Sequence, residues 1–96
     1  MVMSRVDRQF DVEVGRKIKE LRLARSLSQT ALADALGITY QQFAKYERGV
    51  NRISAAQIHL LSHVLDCPIA AFFDGLPAID TKRPVVTAEA MQPAAA

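Results

Sequence analysis

The chain has no tryptophan, one cysteine, four glycines and four prolines in 96 residues, and these scarcities exclude several classes of function. A lone Cys67 cannot close an internal disulfide, and without companion thiols it cannot build a thiolate zinc site; it fits a reducing, cytoplasmic setting. No apolar run approaches the roughly 18 residues needed to span a bilayer, and the start, MVMSRVDRQF, lacks the continuous apolar stretch of a secretory signal, so neither membrane insertion nor export is expected. There is no glycine-rich phosphate loop, no acid pair in a setting that would tune it, and no segment long enough for a self-cleaving Ser/Lys domain. An enzyme is therefore not expected, and no cofactor is assigned. His59 and His63 stand four apart and could chelate from one helical face, but two ligands make a weak site and no glutamate follows His59 as an HExxH zinc motif needs. They are read as surface histidines, with no metal.

What is present is an apolar half, enough for one domain with a modest helical core and too little for two. Charge is unevenly spread. Residues 1–52 hold ten Lys/Arg against six Asp/Glu, net +4, and residues 53–96 hold two against four, net −2. A basic half suggests a polyanionic partner, although +4 alone is a weak signal.

Residues 29–48, QTALADALGITYQQFAKYER, are the centre of the chain. Leu32, Ala33 and Leu36 recur at helical spacing, and Gly37 follows where a left-handed C-terminal residue is cheapest as glycine. Ile38 can plug the angle between two helices. Thr39 then serves as N-cap of the second, with Gln42 three residues on able to complete a capping box. Phe43 and Tyr46 give that helix one apolar face. The opposite face carries Tyr40, Gln41, Ala44, Lys45 and Arg48, which are mostly amide, phenol and cation groups suited to base edges and phosphates.

Residues 1–10 show no convincing period and read as an arm, either a solvated terminus or one that touches a nucleic-acid backbone. Asp11 is expected to cap a first helix running to about residue 25, with Val14, Ile18 and Leu21 buried; its other faces, with Arg16, Lys17, Lys19, Arg22 and Arg25, are solvated or face a polyanion. Ser28 suits the N-cap before Gln29, without a capping box because Ala31 stands at the third position. After Gly49 comes a short polar loop. Ser54 and Gln57 form a second capping-box pattern, opening a helix to about residue 65 with Ala55, Ile58, Leu61, Ser62 and Leu65 inward. Pro68 then suits the start of a last short helix, from which Ile69, Phe72 and Phe73 are expected to pack inward, and Gly75 and Pro77 end the fold. Residues 77–96 have no periodic apolar face and read as a flexible tail behind a domain at residues 11–76. Leu60 and Val64 fall outside the inner face of the fourth helix, either as peripheral packing or as a self-association surface.

The segments GRKIKELR, LSQTALADALGI, YERG and LLSHVLDCPIAAFF, in this order, resemble the phage lambda repressor and Cro type of helix-turn-helix domain, the xenobiotic-response-element family, over residues 14–73. KYERGVNRIS further resembles small alphaproteobacterial regulators of that family. The resemblance implies an all-α, five-helix, lambda-repressor-like domain acting as a transcriptional regulator, most simply a dimeric repressor on a palindromic operator in double-stranded DNA. It places Gln29 on a phosphate, Thr39, Tyr40, Gln41 and Lys45 against bases, and Arg48, Asn51 and Arg52 on the backbone beyond. Gln42 is an additional candidate contact, in competition with capping. Arg22 and Glu47 match an internal ion pair of the family, and Cys67 occupies a position where the family buries an apolar residue.

Side-chain chemistry agrees: glutamine can present a donor and an acceptor to adenine, and lysine donates to guanine, which makes Gln41 the main candidate for specificity. Tyr40 could lie on a thymine methyl, donate to a phosphate, or only cover the helix start. Two rival readings remain from the sequence. One is an antitoxin or adaptor whose protein partner binds through residues 77–96; the other is a helix-turn-helix module that docks protein and no DNA.

Overall fold

The computed structural model describes residues 5–76, with side chains from residue 8 onward. Four α-helices follow one another, α1 (Arg5–Ala24), α2 (Gln29–Leu36), α3 (Tyr40–Glu47) and α4 (Ala55–Val64), closed by a 3-10 helix, η1 (Ile69–Phe73). No strand occurs among the described residues. The last element is thus a 3-10 turn where the sequence suggests a fifth α-helix. Six residues between Pro68 and the left-handed Gly75 (φ 84°), five of them in η1, leave little room for an α-helical ladder, and Ala71 N–H bonds to the Pro68 carbonyl at 2.9 Å.

Helix α1 also departs from expectation at its start. It takes in residues 5–10, read from sequence as an arm, and Asp11 lies inside the helix instead of capping it. Nothing between Arg5 and Val14 breaks a helix, and half-buried Phe10, four residues before Val14, extends the buried stripe by one turn. Freed from capping, Asp11 turns its carboxylate to Arg52 Nε at 3.2 Å. The expected tail, residues 77–96, lies outside the described residues.

The core joins all five elements. Phe43, Phe72, Ile18, Leu32, Leu61 and Leu65 are fully buried, and Val14, Ala33, Tyr46 and Ile58 surround them. Burying each large side chain stabilises the fold by about 1.5–3 kcal/mol before conformational entropy is counted. Helix α3 packs on α1 and α2, α2 also packs on α4, and η1 packs on α1 and α4. Three expectations about this core are corrected. Only Phe72 of η1 points inward, Ile69 and Phe73 being 44% and 40% exposed, and Ala55 at the start of α4 is exposed as well. Cys67 is half-buried at the core's margin rather than inside it. Among the described residues, no helix is long and apolar enough to cross a membrane.

Candidate nucleic-acid interface

The α2–turn–α3 unit is built from three local devices. The Ser28 hydroxyl accepts from Ala31 N–H at 3.0 Å and opens α2. Gly37 closes it in the left-handed region, at φ 71°, and Ile38 N–H returns to the Ala33 carbonyl at 3.0 Å, satisfying the last turn. Thr39 then opens α3, its Oγ1 accepting from Gln42 N–H at 3.1 Å. The reciprocal half of this box is not formed, the Gln42 side chain making no hydrogen bond among the described residues, whereas Ser54 and Gln57 at the head of α4 form both halves. Gln42 is therefore half-buried and uncommitted at the start of α3.

One face of α3 is locked. Phe43, Tyr46 and Glu47 are buried, and the Tyr46 hydroxyl accepts from Gln57 Nε2 at 3.2 Å, tying α3 to α4. The other face is open: Tyr40, Gln41, Lys45 and Arg48 are exposed and Ala44 is half-buried, while Thr39 is exposed at the cap. Cations divide in the same way. Arg16 and Lys17 on α1 are engaged with Glu13, Glu20 and Asp74, and Arg25 with the carbonyls of Leu21 and Asp66. Much of α1's basic face is thus neutralised internally. Among the described residues Lys45 and Arg48 have no carboxylate partner, so their charge faces solvent from the same side as Gln41.

The loop after α3 folds back on the helix. Val50 and Asn51 N–H groups both point to the Lys45 carbonyl, at 3.0 and 3.4 Å, which holds half-buried Asn51 beside the last turn. Arg52, expected at a phosphate, has Asp11 as counter-ion. Gln29, also expected at a phosphate, donates its Nε2 to Glu47 Oε1 at 2.9 Å. Glu47 in turn is paired with Arg22, whose Nε lies 2.6 Å from Oε2 and whose Nη2 lies 3.1 Å from Oε1.

Two glycines position this unit by close approach, Gly15, which the sequence reading passes over, and Gly49, which it takes only as the stop after the third helix. An ideal Cβ on Gly15, in the middle of α1, would stand 2.3 Å from the Tyr46 carbonyl oxygen, so the end of α3 rests directly on the α1 backbone. Gly49 combines φ 72° with a similar approach, its hypothetical Cβ lying 2.5 Å from Val12 Cα. A glycine inside a helical period was the available signal for the first. Elsewhere, the His59 and His63 rings meet edge to face at 4.9 Å, and an open cavity of about 270 Å³ is lined by Ser62, His63, Asp66, Cys67 and Pro68. No group of three or more ligating side chains suited to a metal occurs among the described residues.

Comparison with known proteins gives a consistent picture. The helix-turn-helix family profile HTH_3 matches residues 18–72. An uncharacterized HTH-type transcriptional regulator of Rickettsia conorii is 42% identical over 79 residues, covering 82% of this chain and 63% of that protein. An uncharacterized transcriptional regulator in the ATPase CF(0) region of Rhodospirillum rubrum is 38% identical over 80 residues, covering 83% and 74%. The crystal structure of the restriction-modification controller protein C.AhdI from Aeromonas hydrophila superposes with a TM-score of 0.61 at 34% identity, over 65% of this chain and 94% of that one. The chain spans less than two thirds of the length of the Rickettsia relatives it matches.

Proposed function

This chain belongs to the helix-turn-helix family HTH_3, and on that premise we propose that it is a sequence-specific, double-stranded DNA-binding transcriptional regulator acting as a dimeric repressor. The observation that carries the proposal is the two-sidedness of α3. A helix fixed by Phe43, Tyr46 and Glu47 presents Tyr40, Gln41 and Lys45 to solvent, with Arg48 following, as a rigid polar edge of the size a major groove admits. In this reading Thr39, Tyr40, Gln41 and Lys45 read bases. Gln29, Arg48, Asn51 and Arg52 hold the backbone, and Gln42, left uncommitted by its half-made cap, is close enough to the helix start to add a contact.

Dimerisation would use the apolar surface at the α4–η1 end. Leu60 and Val64 on α4 are 40% and 37% exposed, and Ile69 and Phe73 on η1, which packs on α4, are exposed as well. Two copies would then address half-sites about one helical turn apart.

Selection of bound duplexes from a random pool, repeated with Gln41→Ala, tests the reading. The expected result is a palindrome whose preference relaxes at one position per half-site in the variant. With about three phosphates neutralised per subunit, log affinity falls against log salt with a slope no steeper than about −5, and a shallower one to the extent that Arg52 keeps Asp11 as its counter-ion. Absence of any selected sequence together with a slope near zero would overturn the proposal.

A further inference from the structure

Resting on the DNA reading above, we propose that Glu47 is a positioning residue for phosphate binding: it holds the Gln29 side-chain amide in one orientation at the head of α2, and Arg22 makes that possible by neutralising it. Glu47 sits in the last turn of α3 with 3% of its side chain exposed, and Arg22, 25 positions earlier on α1, with 8%. Both Glu47 oxygens are taken by the Arg22 guanidinium, and Oε1 also accepts from Gln29 Nε2 at 2.9 Å. The third guanidinium nitrogen, Nη1, donates to the Leu27 carbonyl at 2.9 Å, just before the Ser28 cap. One buried carboxylate therefore ties together α1, the start of α2 and the end of α3.

The chemistry of the partner decides which way the amide faces. A glutamine amide turns easily about its last torsion and offers an acceptor at one end and a donor at the other. A carboxylate only accepts, so Nε2 must face Glu47 and one Nε2 hydrogen is consumed there. The second remains for a phosphate oxygen. The same helix start carries the backbone N–H groups of Gln29 and Thr30, first-turn donors that the Ser28 hydroxyl, occupied by Ala31, does not use. Arg22 removes the obvious objection, that an anion next to a phosphate-binding residue would repel the ligand. Without Glu47, the amide could swing its oxygen outward and present an acceptor to an anion.

The test uses the full chain and a duplex recovered from a random pool by the wild-type protein. Gln29→Ala should weaken binding about tenfold, the effect of losing one charge-assisted hydrogen bond. The paired replacement Arg22→Met/Glu47→Leu removes the carboxylate without leaving a buried charge behind. If that variant keeps its helical circular dichroism, it should show the same loss, and adding Gln29→Ala should cost nothing more. Wild-type affinity in the paired variant, or a full further loss on adding Gln29→Ala, would overturn the proposal while leaving DNA binding intact; so would a Gln29→Ala variant that binds normally. A second readout needs no variant. Side-chain amide relaxation in the unbound wild-type chain should find Gln29 restrained and exposed Gln41 mobile, and equal mobility would also overturn it. A wild-type chain that recovers no duplex at all would fail at the earlier step, removing the DNA reading and this inference with it.

Discussion

Gly15 and Tyr46 meet through backbone alone: a Cβ at Gly15 would lie 2.3 Å from the Tyr46 carbonyl oxygen and 2.6 Å from that of Glu47. In an unpacked helix, alanine is better than glycine by about 1 kcal/mol. Here the clash is with carbonyls that cannot rotate away, so Gly15→Ala is expected to destabilise the fold by at least about 2 kcal/mol. Urea unfolding followed by circular dichroism measures this, and a gain in stability would contradict the close approach.

Gly37 and Gly49 have nearly the same φ, 71° and 72°, in different surroundings. Nothing lies within 4 Å of a Cβ at Gly37, whereas one at Gly49 meets the Val12 backbone. Gly37→Ala should therefore cost only the left-handed strain, about 1–2 kcal/mol, and Gly37→Asn less. Gly49→Ala should cost clearly more than Gly37→Ala in the same unfolding assay.

Removing one member of the Arg22–Glu47 pair leaves the other buried and uncompensated. Arg22→Ala should lower stability by about 3–5 kcal/mol, a large part of what a domain of this size has. Thermal unfolding would register it as a fall of many degrees. A change under about 1 kcal/mol would mean that the pair is far better solvated than its burial indicates.

Leu60 and Phe73 are each 40% exposed, so aspartate at either position should leave the monomer's stability nearly unchanged. If the α4–η1 end is the proposed self-association surface, Leu60→Asp and Phe73→Asp should shift sedimentation toward the monomer and weaken operator binding together. Folded variants that bind with unchanged stoichiometry and affinity would remove that surface from consideration.

Burial pushes the Cys67 thiol above its ordinary value, with Arg25 drawing it down in part and Asp66 adding to the rise. The folded chain then holds this proton to higher pH than the unfolded chain does. The associated stability is present in full below the unfolded thiol's pKa and is lost as pH rises through the folded value. Comparison of Cys67→Ala with wild type should show this alkaline decline only in the wild type, and alkylation of the native thiol near neutral pH should be slower than in urea.

How much of this was legible in the sequence depends on the range of each interaction. Ser28, Gly37, Thr39 and Ser54 act within a few residues, so the boundaries of α2, α3 and α4 follow from local chemistry. Exposure of Leu60 and Val64 follows from helical period. The Arg22–Glu47 pair spans 25 positions and was visible only through the family resemblance. The bonds Gln29–Glu47 and Asp11–Arg52 were not visible, because neither composition nor period says which polar groups meet across a fold. At the two ends, period itself failed. The start of α1 has no breaker to mark it, and η1 is too short for spacing to tell Phe72's face from those of Ile69 and Phe73. Base-reading and backbone-holding roles depend on a partner surface that the chain itself does not contain.

If Arg52 meets a phosphate, as proposed, it does so already paired with Asp11, and that would change its thermodynamic weight in binding. A cation such as Lys45, without a carboxylate partner among the described residues, would on contact with DNA release a condensed counterion and gain from its dilution. When Arg52 exchanges a carboxylate for a phosphate, Asp11 is left to gather a cation of its own, so one ion is taken up as another is released. The number of phosphate contacts seen by footprinting should therefore exceed the number inferred from salt dependence, with Arg52 contributing geometry to the complex and little to its ionic-strength sensitivity.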